Sequence, residues 1–185
     1  STLFPYTTLF RSDSVSMIFD PNTAMSRVEL VSVIWRAAGQ PEFDNIHTVP
    51  FTDCATNAWY TAAVNWASKN EIVNGIGDGL FDPQGQITRE QIVTILYRYA
   101  KFVGMDTTKT TDISENFTDA ESVSLYAREA MAWAVAEGII VGDDGEILPL
   151  NNATRAEVAT MMTRFHKLQL AQEETPEEPE DPENP

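Results

Sequence analysis

Cysteine is all but missing: Cys54 stands alone in 185 residues, which excludes an internal disulfide and any cysteine-based zinc site. Histidine is scarce as well. His47 and His166 have no cysteine or carboxylate at ligand spacing, so the sequence offers no metal centre. Cations are few, 12 Lys and Arg against 28 Asp and Glu; the net charge of -16 carries no basic cluster, and such a field repels nucleic acid. No apolar run approaches the roughly 18 residues of a membrane span, and no stretch reads as a secretory signal with a basic start and an apolar core. Catalytic signatures are also wanting, with no nucleophile elbow, phosphate loop or Ser, His and Asp set. Asp53 and Asp119 are the carboxylates an acid and nucleophile pair would need, but their symmetric placement fits a structural role better than two separated pKa values. Asp78-Gly79 and Asp144-Gly145 lack the alternating oxygen ligands of a calcium loop and read as turns. The reading is therefore of a chain that is not an enzyme and holds no cofactor.

What is present is a repeat. Ile87-Thr88-Arg89-Glu90-Gln91 recurs as Met25-Ser26-Arg27-Val28-Glu29 and as Ala153-Thr154-Arg155-Ala156-Glu157. A hydroxyl residue followed three positions later by Glu or Gln is the capping-box pattern, so Ser26, Thr88 and Thr154 are expected N-caps. Capping explains the first and fourth positions and leaves the arginine unexplained. A cation in the first turn opposes the helix dipole by roughly 0.3–1 kcal/mol, so three arginines kept there point to another job. After each cap an apolar stripe of helical period follows: Leu30, Val33, Ile34 and Ala37; Ile92, Ile95, Leu96 and Tyr99; Val158, Met161, Met162 and Phe165. Such a helix cannot bury its stripe alone, and three of them pack most economically about a pseudo-threefold axis.

Residues 1–12 are set apart from the fold. Phe4-Pro5-Tyr6-Thr7-Thr8-Leu9-Phe10-Arg11-Ser12 matches one reading frame of a common sequencing-adapter oligonucleotide, so the stretch reads as an assembly artefact. Residues 13–41 then hold only the second half of a repeat, ended by Gly39 and Pro41. Residues 51–104 hold a whole one. Phe51-Thr52-Asp53 opens it, Trp59, Ala62, Ala63, Trp66 and Ala67 lie at helical spacing, and the glycine-rich turn from Asn74 to Gly79 leads through Phe81-Asp82-Pro83 to Thr88. Residues 117–168 repeat the plan from Phe117-Thr118-Asp119 through Trp133 and Gly142 to Arg155. From residue 169 to 185 the chain is expected to be a disordered acidic linker: Glu173 onward has seven acidic residues, no basic one and no aromatic or aliphatic one. A tether of this kind joins modules, and a fused domain is expected beyond it.

These residues resemble the S-layer homology (SLH) repeat of bacterial surface proteins, with one partial and two near-complete copies over residues 17 to 168. The resemblance implies an all-α, pseudo-threefold bundle of helix-loop-helix repeats, the first repeat truncated, with one helix per repeat at the centre and grooves between lobes. It implies an extracellular module that holds its host non-covalently on a Gram-positive-type wall or S-layer, by binding an anionic secondary wall polysaccharide often bearing pyruvate ketals. In the family the motif arginine is a principal ligand contact, which carries over to Arg27, Arg89 and Arg155, with Ser26, Thr88 and Thr154 beside them. The chain departs from the pattern at Gln91, where the family usually has Glu, at Ile147-Leu148, where Phe-Asp is missing, and in the absent first half of repeat one. At most two competent grooves are expected.

The chemistry agrees with that assignment. A ketal carboxylate calls for a planar bidentate cation beside free N–H donors, and an arginine opening a helix is expected to supply both. The sugar face calls for an aromatic platform, for which Trp59, Tyr60, Trp66 and the Trp59 counterpart Tyr126 are the candidates; Trp66 and Trp133 share a stripe with alanines and fit the core better. Each arginine has an alternative use, as a bridge to an acidic residue of the next repeat. Two alternative functions stand beside anchoring: a self-assembly module of a surface protein, which concentration-dependent mass would reveal, and a fragment of a wall hydrolase whose catalytic domain lies elsewhere.

Overall fold

The computed structural model describes residues 20–42 and 48–174. Within them lie five α-helices: α1 (Arg27–Ala37), α2 (Thr61–Lys69), α3 (Arg89–Phe102), α4 (Arg128–Ala136) and α5 (Arg155–Glu173). The described residues contain no strand, and the fold is all-α. No helix among them is long and apolar enough to cross a membrane.

The odd-numbered helices start where the repeats do. Ser26, Thr88 and Thr154 are their N-caps, each accepting from the N–H three residues on, and Glu29, Gln91 and Glu157 each accept from the cap N–H to complete a capping box. The even-numbered helices carry the tryptophan and alanine stripes and have no side-chain cap. Trp66 is 4% and Trp133 0% exposed. Trp133 packs on Tyr97 and Phe165 with centroids at 5.3 and 6.4 Å, and Tyr99 lies between Trp66 and Phe165 at 6.3 and 5.8 Å, so one aromatic core joins the second and third repeats.

Just before each cap the backbone closes a ring. Ile87 N–H donates to Met25 O, Ala153 N–H to Ile87 O and Met25 N–H to Ala153 O, at 2.9 to 3.0 Å, and all three residues are fully buried. The next donors run the opposite way round the ring. Arg27 N–H goes to Gly85 O, Arg89 N–H to Asn151 O and Arg155 N–H to Thr23 O; Val28, Glu90 and Ala156 N–H then reach Pro83, Pro149 and Pro21 O. Each odd-numbered helix thus has the first two of its N–H donors satisfied by the loop of the following repeat, with the third returning to the first. Asp53 and Asp119 brace those loops: Asp53 accepts from Phe81 and Asp82 N–H at 2.9 and 2.7 Å, and Asp119 from Ile147 and Leu148 N–H at the same distances.

One boundary moves. Residues 169–173, expected in the linker, are the last turn of α5. Gln, Leu and Ala are good helix formers, and Gln172 reaches back to bond Asp106 while Gln169 donates to Glu173. The adapter-like residues 1–12, the residues 13–19 that follow them, His47 and the acidic stretch from Thr175 on lie outside the described residues.

Candidate functional site

Each motif arginine opens an odd-numbered helix and lays its side chain against the next repeat. Arg27 Nε donates to Phe81 O at 2.8 Å, and Arg89 Nε donates to the equivalent Ile147 O at 2.8 Å. The distal nitrogens part company. Arg89 Nη1 pairs with Glu157 Oε1 at 2.9 Å, and Arg155 Nη1 with Glu29 Oε1 at 2.8 Å. The partner is in each case the capping-box glutamate of the following repeat. The same rotation brings Arg27 to Gln91, a neutral amide. Arg27 Nη2 donates instead to Asn74 O at 3.3 Å, its guanidinium carbon lies 4.9 Å from the Phe81 ring centroid, and no carboxylate pairs with it among the described residues.

Arg27 is only 6% exposed. Burial lowers its pKa, with Asp82, Tyr126 and Asp53 acting in the other direction, yet a guanidinium stays charged throughout the physiological range. Beside it opens a cleft of about 370 Å³, walled by Asn74 to Ile76, by Gln91, Thr94, Ile95 and Arg98 of α3, and by Tyr126. Its lining holds two arginines and no carboxylate. The Arg98 side chain makes no hydrogen bond or ion pair with any described residue, and burial lowers its pKa too.

Tyr126 is fixed across this cleft. Its hydroxyl donates to Glu90 Oε1 at 2.8 Å, while Ser124 adds its hydroxyl and backbone N–H to the same carboxylate at 2.8 and 3.0 Å. Glu90 is 3% exposed and sits where the other repeats have Val28 and Ala156. The Tyr126 ring is half exposed with its hydroxyl turned inward; burial of that end and donation to Glu90 push its pKa well up, against the pull of Arg27 and Arg98.

Several expected roles are corrected. Tyr60 is 7% exposed, and its hydroxyl accepts from Ala55 N–H at 3.3 Å, so it packs in the core and presents no platform. Trp66, for which the core is the better reading, is indeed buried there, packed between Tyr99 and Phe102. Trp59 is open at 53% exposure, edge-on to Tyr60, but does not line the cleft. The free N–H donors expected at the helix starts are not free, because loop carbonyls and the hydroxyls of Ser26, Thr88 and Thr154 take them. Only the guanidinium is left for an anion. Arg98 had a signal in the sequence: an arginine recurs nine residues after each motif arginine, at Arg36, Arg98 and Arg164. Arg164 is bonded to Ile139 O and Arg36 is engaged as well, whereas Arg98 is not.

Known proteins carry the same pattern. The S-layer homology domain matches residues 50–93 and 116–159. The chain is 30% identical to an amylopullulanase of Thermoanaerobacterium thermosulfurigenes over 145 residues, which cover 78% of the chain and 8% of that protein. It is 29% identical to the surface-layer 125 kDa protein of Lysinibacillus sphaericus, covering 79% of the chain and 12% of that protein. It is 25% identical to the cellulosome-anchoring protein of Acetivibrio thermocellus, covering 80% and 33%. The chain thus spans a minor part of each relative, and the enzymes among them match it over a small fraction of their length.

Proposed function

Since residues 50–93 and 116–159 are S-layer homology domains and Arg27–Ala37 is a third copy of their central helix, we propose that the chain anchors a surface protein non-covalently to the cell wall. Its ligand is an anionic secondary wall polysaccharide, and the unit recognised is a sugar bearing a carboxylate, such as a pyruvate ketal. The observation that carries this reading is the cleft at Arg27, where two arginines and a held tyrosine meet with no carboxylate among them. A protein of net charge -16 repels an acidic polymer at long range, so it needs a local cationic focus to hold one. The guanidinium is planar and takes a carboxylate in bidentate fashion, and the Tyr126 face offers an apolar surface for the ring. Relatives named for the surface layer and for cellulosome anchoring support this reading, and the small share matched in the enzymes fits a module that carries no chemistry of its own.

Co-sedimentation with purified wall sacculi tests this. The full chain is expected to pellet with intact sacculi, to stay in solution once the secondary polysaccharide has been removed, and to bind less to walls lacking the ketal. Equal pelleting with stripped and intact walls overturns the reading, and so does failure to pellet with either.

A further inference from the structure

The three arginine positions are related by the fold but not in their chemistry. Arg89 and Arg155 are each neutralised by a glutamate that also completes a capping box. At the third position the residue is Gln91, which keeps the capping box and leaves Arg27 with no carboxylate in ion-pair contact among the described residues. Nearby, Arg98 is the one member of its recurring set without a partner among the described residues. Two cations, one buried and one half-buried, line one cleft and each bear a desolvation cost, which a bound anion would offset. The cleft, at about 370 Å³, lies at the small end of ligand sites, which run from about 300 to 1,000 Å³. That suits one substituted sugar, not a run of chain.

We propose that glycan binding is concentrated in this one groove, where Arg98 is a second anion contact outside the repeated motif and Gln91 is the specificity-determining residue that keeps Arg27 available. The inference rests on the wall-anchoring reading for the identity of the glycan, but the inequality of the arginines stands on geometry. Glu90 acts through Tyr126 as a positioning residue.

The test uses the full chain, a methyl hexosaminide carrying a 4,6-pyruvate ketal as probe, its unmodified parent as control, and wall sacculi in parallel. Calorimetry is run on the wild type, Gln91→Glu, Arg98→Gln and Arg89→Gln. Gln91→Glu restores the side chain the other two capping boxes use, so it is expected to fold while pairing with Arg27. It and Arg98→Gln should each weaken ketal binding about tenfold or more, the effect of losing one charged hydrogen bond, while Arg89→Gln changes it less than twofold. In side-chain NMR the probe should move the Nε–H signals of Arg27 and Arg98 and leave those of Arg89 and Arg155 in place. Unchanged binding by Gln91→Glu, or equal losses from Arg89→Gln and Arg98→Gln, overturns the inference even if walls are bound. Selective movement of Arg27 and Arg98 without wall binding overturns the anchoring reading alone, and a wild type that binds neither probe nor wall overturns both.

Discussion

Glu157 shows how one carboxylate decides what an arginine can do. It accepts from Thr154 N–H and hydroxyl within its own helix and pairs with Arg89 from a helix 68 residues away. Partial burial works against the charged form, but the Thr154 bonds and Arg89 outweigh it and hold the pKa below the ordinary glutamate value. A carboxylate whose folded pKa is depressed stabilises above its unfolded value, about 4.3, and loses that contribution as the pH falls through the folded one. Glu157→Gln is therefore expected to keep the helix, to cost about 1 kcal/mol or less at neutral pH, as a partly exposed pair does, and to flatten the loss of stability below about pH 4. Urea titrations at a series of acidic pH values check this. The same change leaves Arg89 as uncommitted as Arg27, so sacculus binding should rise as a second groove joins the first. The capping positions were legible in the sequence because a capping box spans four residues. The fate of the arginines was not, since their partners sit in the next repeat and the Glu-to-Gln exchange matters only once that neighbour is known.

The loops between helices carry the strain that the repeat pattern hides. Leu148 stands where the second repeat has Asp82, and both adopt left-handed backbone, φ +52° and +57°. Aspartate and asparagine tolerate that region better than leucine. Leu148→Asn is expected to stabilise the chain by about 0.5–1 kcal/mol, read as a shift in the urea midpoint with the slope unchanged. Gly142 is the opposite case: φ is +73°, and an added Cβ would meet the Phe117 ring at 2.4 Å and Glu146 O at 2.7 Å. Gly142→Ala should cost at least about 2 kcal/mol, from strain and overpacking together. At this scale the sequence was a good guide to helices, because both stripes and caps are local signals. It missed the run of α5 through Glu173, where a contact between Gln172 and Asp106 lets a polar segment stay helical. It also offered helix N–H groups as ligand donors, which only the tertiary ring of loop carbonyls could rule out.

The ring makes the described molecule one cooperative unit. In a solenoid each repeat touches only its neighbours, so removing a terminal repeat leaves the rest intact. Here the third repeat bonds the second at Ile87, Arg89 and Glu90 and the first at Met25, Thr23 and Pro21. A chain ending at Gly104 would strip the acceptors from the first turn of α3 and expose Tyr97 and Tyr99, which pack on Trp133 and Phe165. Buried donors left unpaired cost about 1–3 kcal/mol each, and several such losses together exceed what a small domain can spare. The fragment is therefore expected to show no cooperative thermal transition. The full chain should unfold in one step, with far-ultraviolet dichroism and tryptophan fluorescence coincident, because Trp66 and Trp133 report from different repeats of the same core. Two separated transitions, or a fragment that melts as sharply as its parent, would show that the repeats stand independently. In that case the groove at Arg27 could not depend on the docked third repeat to supply Tyr126, nor on Glu90 to hold it there.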